Sequence, residues 1–486
     1  MDAKRSGTGI GKRRKKEMAK AVSVVLALAD LLTITLLVIS KGNPIERIAI
    51  GAVVLAVSGE AIRQANGLDG GYGLYLLGSR HGIKAIDRLA KRRENAWNFI
   101  ADFGLALGFG AFSYLLLRKR DMKAFVTGML AIVFIILFVF PSLGIILEFI
   151  PLLSGKLAAE QATTSTSAAA AQANLLYALM LAGSIIGGFA LLTIALLLYS
   201  GVEVVYALLT AVAHANYSTL SNQVPGVFPV IPGITLPLAA GIVALAILLV
   251  AHEFSHGILA RIARVRISSV GIVLFGIIPF GAFVEPDEKE VKKLSKEKQN
   301  RIFIAGISTN ILLSLLFFVL TFGMVYEIMP AINTNGVMIE AVVPNTPAQG
   351  NLSVGTTLLK WNNQSIANEY ALQRIESSYK GGKVALLTSN GIVDITPMPD
   401  GKLGIELAPA STGSAAFQTA NFLFEVFAIS FALNFFVGIF NLLPLPGFDG
   451  WRIYQNEIRS RKALNALLAI VVLSILLNML PWFWAF

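Results

Sequence analysis

Three residues in the run Ala251–Gly257 have the types and spacing of a metal-dependent hydrolase: His252, Glu253 and His256. Residues four apart share one face of a helix, so the two imidazoles can bind one Zn²⁺ while Glu253 lies beside them, near the water that such a site activates. The run ends an apolar stretch that is long enough to cross a bilayer. The pattern therefore predicts zinc-protease chemistry inside a membrane or at its edge.

A third ligand must come from elsewhere, because a catalytic zinc site normally has three protein ligands and one position for water. The chain has no cysteine and four histidines, so imidazole and carboxylate groups are the available donors. Asp449 is the strongest candidate, since proline and glycine interrupt a helix just before it. Irregular backbone at membrane depth is tolerated only where protein or a wet cavity surrounds it. An aspartate in a cytoplasmic turn is the alternative that the residues alone leave open.

The composition is that of a membrane protein. Of the 486 residues, 55% are hydrophobic and 14% are charged, against about 25% charged residues in an average soluble domain. The net charge of +11 does not indicate nucleic-acid binding, because the lysines and arginines gather in short segments between apolar runs, where they set orientation in the bilayer. We therefore expect the lipid bilayer as a partner, and no nucleic acid.

Apolar runs suited to a hydrocarbon core of roughly 30 Å lie at 21–40, 47–63, 98–117, 124–149, 174–199, 235–260, 302–329, 420–443 and 463–484. The second run is the weakest, because it carries Glu60 and is interrupted by glycine. We predict a mostly α, polytopic membrane helix bundle of eight or nine spans. The basic segments favour a cytoplasmic N-terminus in a cell-membrane protein.

Two stretches depart from the helical pattern. Val265–Val284 is rich in Ile, Val, Phe and Gly, which predicts a membrane-associated β-loop whose free edge could pair with an extended substrate; an amphipathic connector is the alternative. Between Met329 and Ala420, alternating β-branched residues and turn signals predict a small β-rich domain with a helix near Tyr370–Ser378. The parity of the spans predicts that this domain is extracytoplasmic.

The chain resembles the site-2 protease family of zinc intramembrane metalloproteases. Four features match together, in this order: the His-Glu-x-x-His run, the pattern Ala305-Gly306-x-x-x-Asn310, a PDZ-like insert, and the pattern Asn-x-x-Pro-x-x-x-x-Asp-Gly that ends at Asp449 and Gly450. The insert resembles a PDZ domain through Gly336–Val343 and Ser353–Asn362. The resemblance covers roughly residues 235–460.

This resemblance implies a Zn²⁺ cofactor with three protein ligands: His252, His256 and Asp449. It implies that Glu253 is the catalytic general base and later acid, and that Asn310 and Asn441 bind the substrate backbone. The implied substrate is a single-span membrane protein, cleaved within its transmembrane segment in regulated intramembrane proteolysis. The PDZ-like domain would bind a peptide or ectodomain end. From the residues alone, each asparagine could instead join helices by hydrogen bonds in an apolar environment.

These expectations divide the chain into a basic cytoplasmic N-terminus (1–20), an accessory transmembrane region (21–234), the first half of a catalytic core (235–329), the PDZ-like domain (330–415) and the second half of the core (416–486). Two other classes of function stay open. A membrane transporter or metal carrier would use broken helices and intramembrane carboxylates for ion passage, without a need for Glu253. A catalytically silent pseudoprotease would keep the fold as an adaptor.

Overall fold

The computed structural model describes residues 7–40, 44–116, 121–142, 167–214, 220, 230, 232, 236–328, 336–367, 369–409 and 415–483. The chain forms two compact units, Met1–Leu315 with Ile429–Phe486, and Leu316–Ala428. Several predicted features fall partly outside the described residues, among them the start of the N-terminal segment 1–20, the end of the run 124–149 and both ends of the insert 330–415.

Most described residues are helical, which confirms the predicted fold class. The helices are α1 (Gly7–Ile39), α2 (Pro44–Asn66), α3 (Arg80–Arg92), α4 (Glu94–Phe109), α5 (Ser113–Leu116), α6 (Met122–Phe134), α7 (Ser167–Ala213), α8 (Leu238–Ile262), α9 (Glu288–Val291), α10 (Lys296–Gly323), α11 (Glu369–Ser377), α12 (Ala415–Phe440), α13 (Asp449–Glu457) and α14 (Arg461–Met479). Single π-helical segments continue α6 over Ile135–Val139 and α10 over Met324–Ile328.

Eight helical segments of the described chain are long and apolar enough to cross a membrane: Glu17–Leu37, Glu94–Leu116, Met122–Ser142, Tyr177–Ala213, Leu238–Ile262, Lys296–Ile328, Ala415–Phe440 and Arg461–Met479. The eight agree with the prediction of eight or nine spans. The weakest predicted run, 47–63, lies within α2, which packs against α1 but is not one of the eight. The protein is a multi-pass membrane protein.

The first unit contains a four-stranded antiparallel sheet. Its strands are β1 (Gly70–Gly71), β2 (Leu74–Gly78), β3 (Ile267–Phe275) and β4 (Ile278–Pro286), in that spatial order. The hairpin β3–β4 confirms the β-structure predicted for Val265–Val284, and we call it the β-loop. The pairing of β2 with β3 was not predicted. It covers one edge of the β-loop, so that β4 is the edge strand without a neighbouring strand among the described residues.

The second unit contains a six-stranded antiparallel sheet in the order β10-β5-β6-β8-β9, with β7 paired to β6. The strands are β5 (Val337–Val342), β6 (Thr357–Trp361), β7 (Gln364–Ser365), β8 (Val384–Thr388), β9 (Gly391–Ile395) and β10 (Ile405–Pro409). Its core is apolar and centres on Val337, Leu358, Trp361, Leu372 and Leu386. The predicted strand at Gly336 is β5, and the predicted helix near Tyr370 is α11, so the insert is β-rich with one helix.

Candidate metal centre

Three candidate ligands converge between α8 and the start of α13. His252 and His256 lie one turn apart on α8, and Asp449 is the first residue of α13. Asp449 Oδ2 lies 3.0 Å from His252 Nε2 and 3.1 Å from His256 Nε2, and the two Nε2 atoms are 3.3 Å apart. Among the described residues, these three form the one group of His, Asp and Glu side chains close enough to share a metal ion.

The arrangement fits zinc by distance and by donor type. Zinc bonds to nitrogen and oxygen of about 2.0–2.1 Å, at tetrahedral angles, place neighbouring ligand atoms about 3.3 Å apart. The three separations of 3.0, 3.1 and 3.3 Å are close to that edge length. Two imidazoles and one carboxylate also leave a fourth tetrahedral position, as catalytic zinc sites do. The side chains are mostly buried, with exposed fractions of 10%, 12% and 18%.

Hydrogen bonds orient both imidazoles with Nε2 toward Asp449. His256 Nδ1 lies 2.7 Å from the carbonyl oxygen of Ile302, to which it donates, so its proton is held on the side away from the metal position. The amide of Asn310 lies 3.1 Å from His252 Nδ1. The atom that faces Nδ1 is Asn310 Nδ2, and Asn310 Oδ1 has no hydrogen-bond partner among the described residues. Zinc binding through Nε2 requires a proton on Nδ1, so the Asn310 amide would have to turn by 180° to present Oδ1 as the acceptor. Asn310 therefore contacts a candidate ligand directly.

Two glycines make room for this packing, and they explain two of the motifs. A Cβ on Gly306 would overlap the imidazole of His252, so the Gly-x-x-x-Asn pattern lets α10 pass close to His252 and contact it again one turn later through Asn310. A Cβ on Gly450 would lie 2.5 Å from the carbonyl group of Leu442 and 2.8 Å from that of Asn441. The backbone N–H of Gly450 donates to the Asn441 carbonyl oxygen at 2.7 Å, which fixes the loop beside Asp449.

Glu253 lies next to His252 on α8 and faces the β-loop. Its Oε2 accepts a hydrogen bond from the backbone N–H of Val284 at 3.2 Å. Val284 lies on β4, opposite Val270 of β3. This N–H points away from β3, toward the open edge of the sheet, so the candidate base and the edge strand are in direct contact.

A polar cluster holds the C-terminal end of α13 against the start of α10. Asn300 donates to Glu457 at 3.0 Å, Asn456 donates to Asn300 at 2.8 Å, and Lys296 donates to the carbonyl oxygen of Asn456. Helix α13 carries the candidate ligand Asp449, and α10 carries Ile302, whose carbonyl accepts from His256. The cluster therefore fixes the position of Asp449 relative to Ile302.

A buried ion pair joins α4 to the same end of α10. Arg301 donates two hydrogen bonds to Asp102, at 2.7 and 2.6 Å, and lies 3.1 Å from Glu297. The side chain of Asp102 is 1% exposed. Further along α4, Gly104 packs against Ser308 of α10. Helix α4 is therefore part of the support of the metal centre, although it precedes the predicted catalytic core.

The structure brings four of the six predicted site residues into one contact network: His252, His256, Asp449 and Asn310. Glu253 is adjacent in sequence and bonds to β4. Asn441 lies beside Gly450 through its backbone carbonyl, and its predicted role toward substrate stays a prediction. Sequence reasoning missed Ile302, Gly306 in its contact with His252, and the pair Asp102–Arg301. Asp102 could have been singled out from the sequence, since a carboxylate within an apolar run generally marks a functional or paired residue.

The fold and the centre define a class of protein. It is a multi-pass membrane protein whose His-Glu-x-x-His helix contributes to a His-His-Asp group, and this group is arranged like the ligands of a membrane metallopeptidase. The sequence model of peptidase family M50 matches residues 240–480, about half of the chain. Through this segment the chain belongs to peptidase family M50, the site-2 protease family. The members of this family are zinc metalloproteases of membranes.

One curated relative is an uncharacterised protein of Methanocaldococcus jannaschii. It is 28% identical over 239 residues, which are 47% of this chain. The match spans 61% of the length of that relative. The relative carries no activity or substrate to this chain.

Proposed function

We propose that the protein is a zinc-dependent intramembrane endopeptidase that cleaves the transmembrane segments of single-span membrane proteins. The observation that carries this proposal is the convergence of His252, His256 and Asp449, with ligand atoms 3.0–3.3 Å apart, on a helix that is apolar enough to span the bilayer. Membership of family M50 supports the same reaction class.

The candidate site residues of this chain would have three roles in this reaction. His252, His256 and Asp449 would hold Zn²⁺, which when bound acts as a Lewis acid and makes water nucleophilic near neutral pH. Glu253 is the general base: it takes the proton of the attacking water and delivers it to the leaving amide nitrogen. With its amide turned so that Oδ1 faces His252 Nδ1, Asn310 would keep His252 in the tautomer that binds metal through Nε2, in addition to the predicted contact with substrate.

A helical substrate must be unwound before its peptide bond can react, because its carbonyl groups are held in i to i−4 hydrogen bonds. The edge of β4 is suited to hold the unwound segment by strand addition. The N–H of Val284 points outward to Glu253, and by the two-residue alternation of an edge strand Ala282 also presents its N–H and C=O outward. If a substrate strand paired with Ala282, its backbone would lie beside Glu253 two residues further along β4, at Val284.

The β-rich unit is proposed as a PDZ-like extracytoplasmic domain that binds a peptide or ectodomain end and admits shortened substrates. Its antiparallel sheet with edge strands β9 and β10, and its single helix α11, support a peptide-binding module. With the N-terminus in the cytoplasm of a cell-membrane protein, the cleavage would belong to regulated intramembrane proteolysis.

The test is cleavage of a single-span substrate by protein purified in detergent, with the wild type and Glu253→Gln compared. Removal of a general base slows such a reaction by about 10²–10⁴-fold, and the glutamine leaves all three candidate ligands in place. We expect zinc in both proteins and a cut within the apolar segment, located by mass spectrometry, in the wild type alone. Equal cleavage by both proteins would overturn the role of Glu253.

The two other classes of function predict different results in the same experiment. A metal carrier would bind zinc and transport it equally well with Glu253→Gln, without cleavage. A pseudoprotease would bind zinc and cleave no substrate from a panel of single-span proteins. The contact between Glu253 and the edge of β4 favours the protease over both, because neither needs a base beside a substrate-binding strand.

A further inference from the structure

A buried carboxylate from the first membrane-spanning helix lies against the turn of the β-loop. Asp30 lies within Glu17–Leu37, and only 1% of it is exposed. Its Oδ2 accepts a hydrogen bond from the hydroxyl of Ser58 on α2, at 2.7 Å, and a Cβ on Gly276 in the β3–β4 turn would lie 2.9 Å from the same oxygen. One side chain therefore joins α1, α2 and the tip of the β-loop.

Three glycines allow the backbones to meet at this point. A Cβ on Gly59 of α2 would overlap the carbonyl oxygen of Gly73, one on Gly73 would lie 2.5 Å from Ala56 Cα, and one on Gly276 would lie 2.5 Å from the side chain of Leu55. Gly276 has φ +57°, a conformation that other residues rarely adopt. Its carbonyl oxygen accepts from the buried Tyr75 hydroxyl at 2.8 Å.

The β-loop connects this anchor to the candidate base. Strand β4 runs from Ile278, next to the turn, to Val284, whose N–H bonds Glu253, and its register to β3 shifts once, between Pro279 and Gly281. It pairs with β3 along its length, and β3 pairs with β2. Asp30 thus lies at one end of the edge strand, and the contact with Glu253 lies near the other end.

A carboxylate within an apolar span is costly, and such residues generally mark a function. Packing of α1 on α2 alone would need the Ser58 contact only, whereas the close approach of Asp30 Oδ2 to Gly276 reaches the β-loop itself. We propose that Asp30 is a positioning residue, which holds the edge of β4 in register with Glu253 for the substrate strand. This inference rests on the proposed function for its catalytic consequence, while its structural part can be tested without cleavage.

The structural test is hydrogen–deuterium exchange of the purified full chain in detergent, with three variants. Asp30→Ala removes the acceptor, and we expect amides of 270–284 to exchange at least tenfold faster. Asp30→Asn keeps an amide oxygen in the same place, and we expect exchange within about threefold of the wild type. Thr35→Ala, which alters an exposed side chain of the same helix, is the matched control and should change nothing. Peptides of α14 serve as the internal reference for global loosening.

The catalytic test is cleavage of a single-span substrate by the same proteins. We expect Asp30→Ala to lower kcat/KM about tenfold with its zinc content and pH profile unchanged, and Asp30→Asn to restore most of the activity. Unchanged exchange at 270–284 in Asp30→Ala would overturn the positioning role, and so would an equal loss with asparagine and alanine. If the wild type itself cleaves nothing, the proposed function fails, and the exchange result still decides whether Asp30 anchors the β-loop.

Discussion

In the metal centre the buried groups are polar and hold one another: His252 bonds Asn310, His256 bonds the Ile302 carbonyl, and Asp449 lies between the two imidazoles. In the β-rich unit the buried side chains around Leu358 are almost all hydrocarbon. Hydrocarbon packing is non-directional and tolerates changes of similar volume. A buried polar network loses most of its value when one member is removed. The packing of the metal centre therefore requires one geometry of its polar groups. The packing of the β-rich unit requires only a filled apolar core beneath its sheet.

The largest effect is expected from Gly306→Ala, because the added methyl group would occupy the place of the His252 imidazole. We predict that zinc affinity falls at least 100-fold, measured by competition with a chelator. Gly323→Ala is the matched control, since it makes the same change on the same helix at a position where, in the described part of the chain, nothing beyond the helix's own backbone lies within 4 Å of the new Cβ. Equal zinc affinity of the two variants would contradict the close packing of α10 against His252.

The next effect concerns the ion pair that supports the centre. Asp102→Ala leaves the Arg301 guanidinium without its bidentate partner at a site where the aspartate is 1% exposed. We predict a loss of about 3–5 kcal/mol in unfolding free energy, the usual result of breaking a buried pair. Glu288→Ala breaks an ion pair whose members are 72% and 78% exposed, and it should change stability by less than about 1 kcal/mol. Denaturant unfolding of the two variants makes the comparison.

In the β-rich unit, Leu358→Ala should act on packing alone. Leu358 is fully buried on the central strand β6, so we expect a loss of about 2–5 kcal/mol in the stability of this unit. Ile392→Ala, at a side chain that is 71% exposed, should stay within about 0.5 kcal/mol. Neither should alter zinc content, because no candidate ligand among the described residues lies in this unit. Zinc loss in Leu358→Ala would remove the contrast between the two regions.

The smallest effect is a pH dependence of the β-rich unit. Burial raises the pKa of Glu376 from 4.5 to about 7, with Lys402 opposing the shift and Asp400 adding to it. Because the folded state holds this proton more tightly, its contribution to stability is complete below about pH 4.5 and is lost as the pH rises to about 7. We predict a fall of up to about 3 kcal/mol over this interval. Glu376→Gln should flatten the curve, and a wild type with no slope there would contradict the raised pKa.

The chemistry of the centre could be predicted from sequence because helical spacing fixes where His252 and His256 point, and because the chain has only two other histidines. The hairpin β3–β4 could be predicted from its composition. The addition of β2 to β3 could not, since β1 and β2 are two and five residues long and lie far from β3 in sequence. The contact of His256 with the Ile302 carbonyl could not be predicted either, because every residue has a backbone carbonyl and the residue type does not indicate which one accepts. The roles of Asp102 and Asp30 needed the structure to show their partners.

The central claim is that His252, His256 and Asp449 form one zinc site, and the most direct measurement is the zinc stoichiometry of the purified protein after zinc is supplied and weakly bound metal is removed by dialysis. We predict one zinc per chain in the wild type and in Glu253→Gln, and a loss of bound zinc in Asp449→Ala, each with folding checked by gel filtration. A folded wild type without zinc, or full zinc retention by Asp449→Ala, would contradict the account.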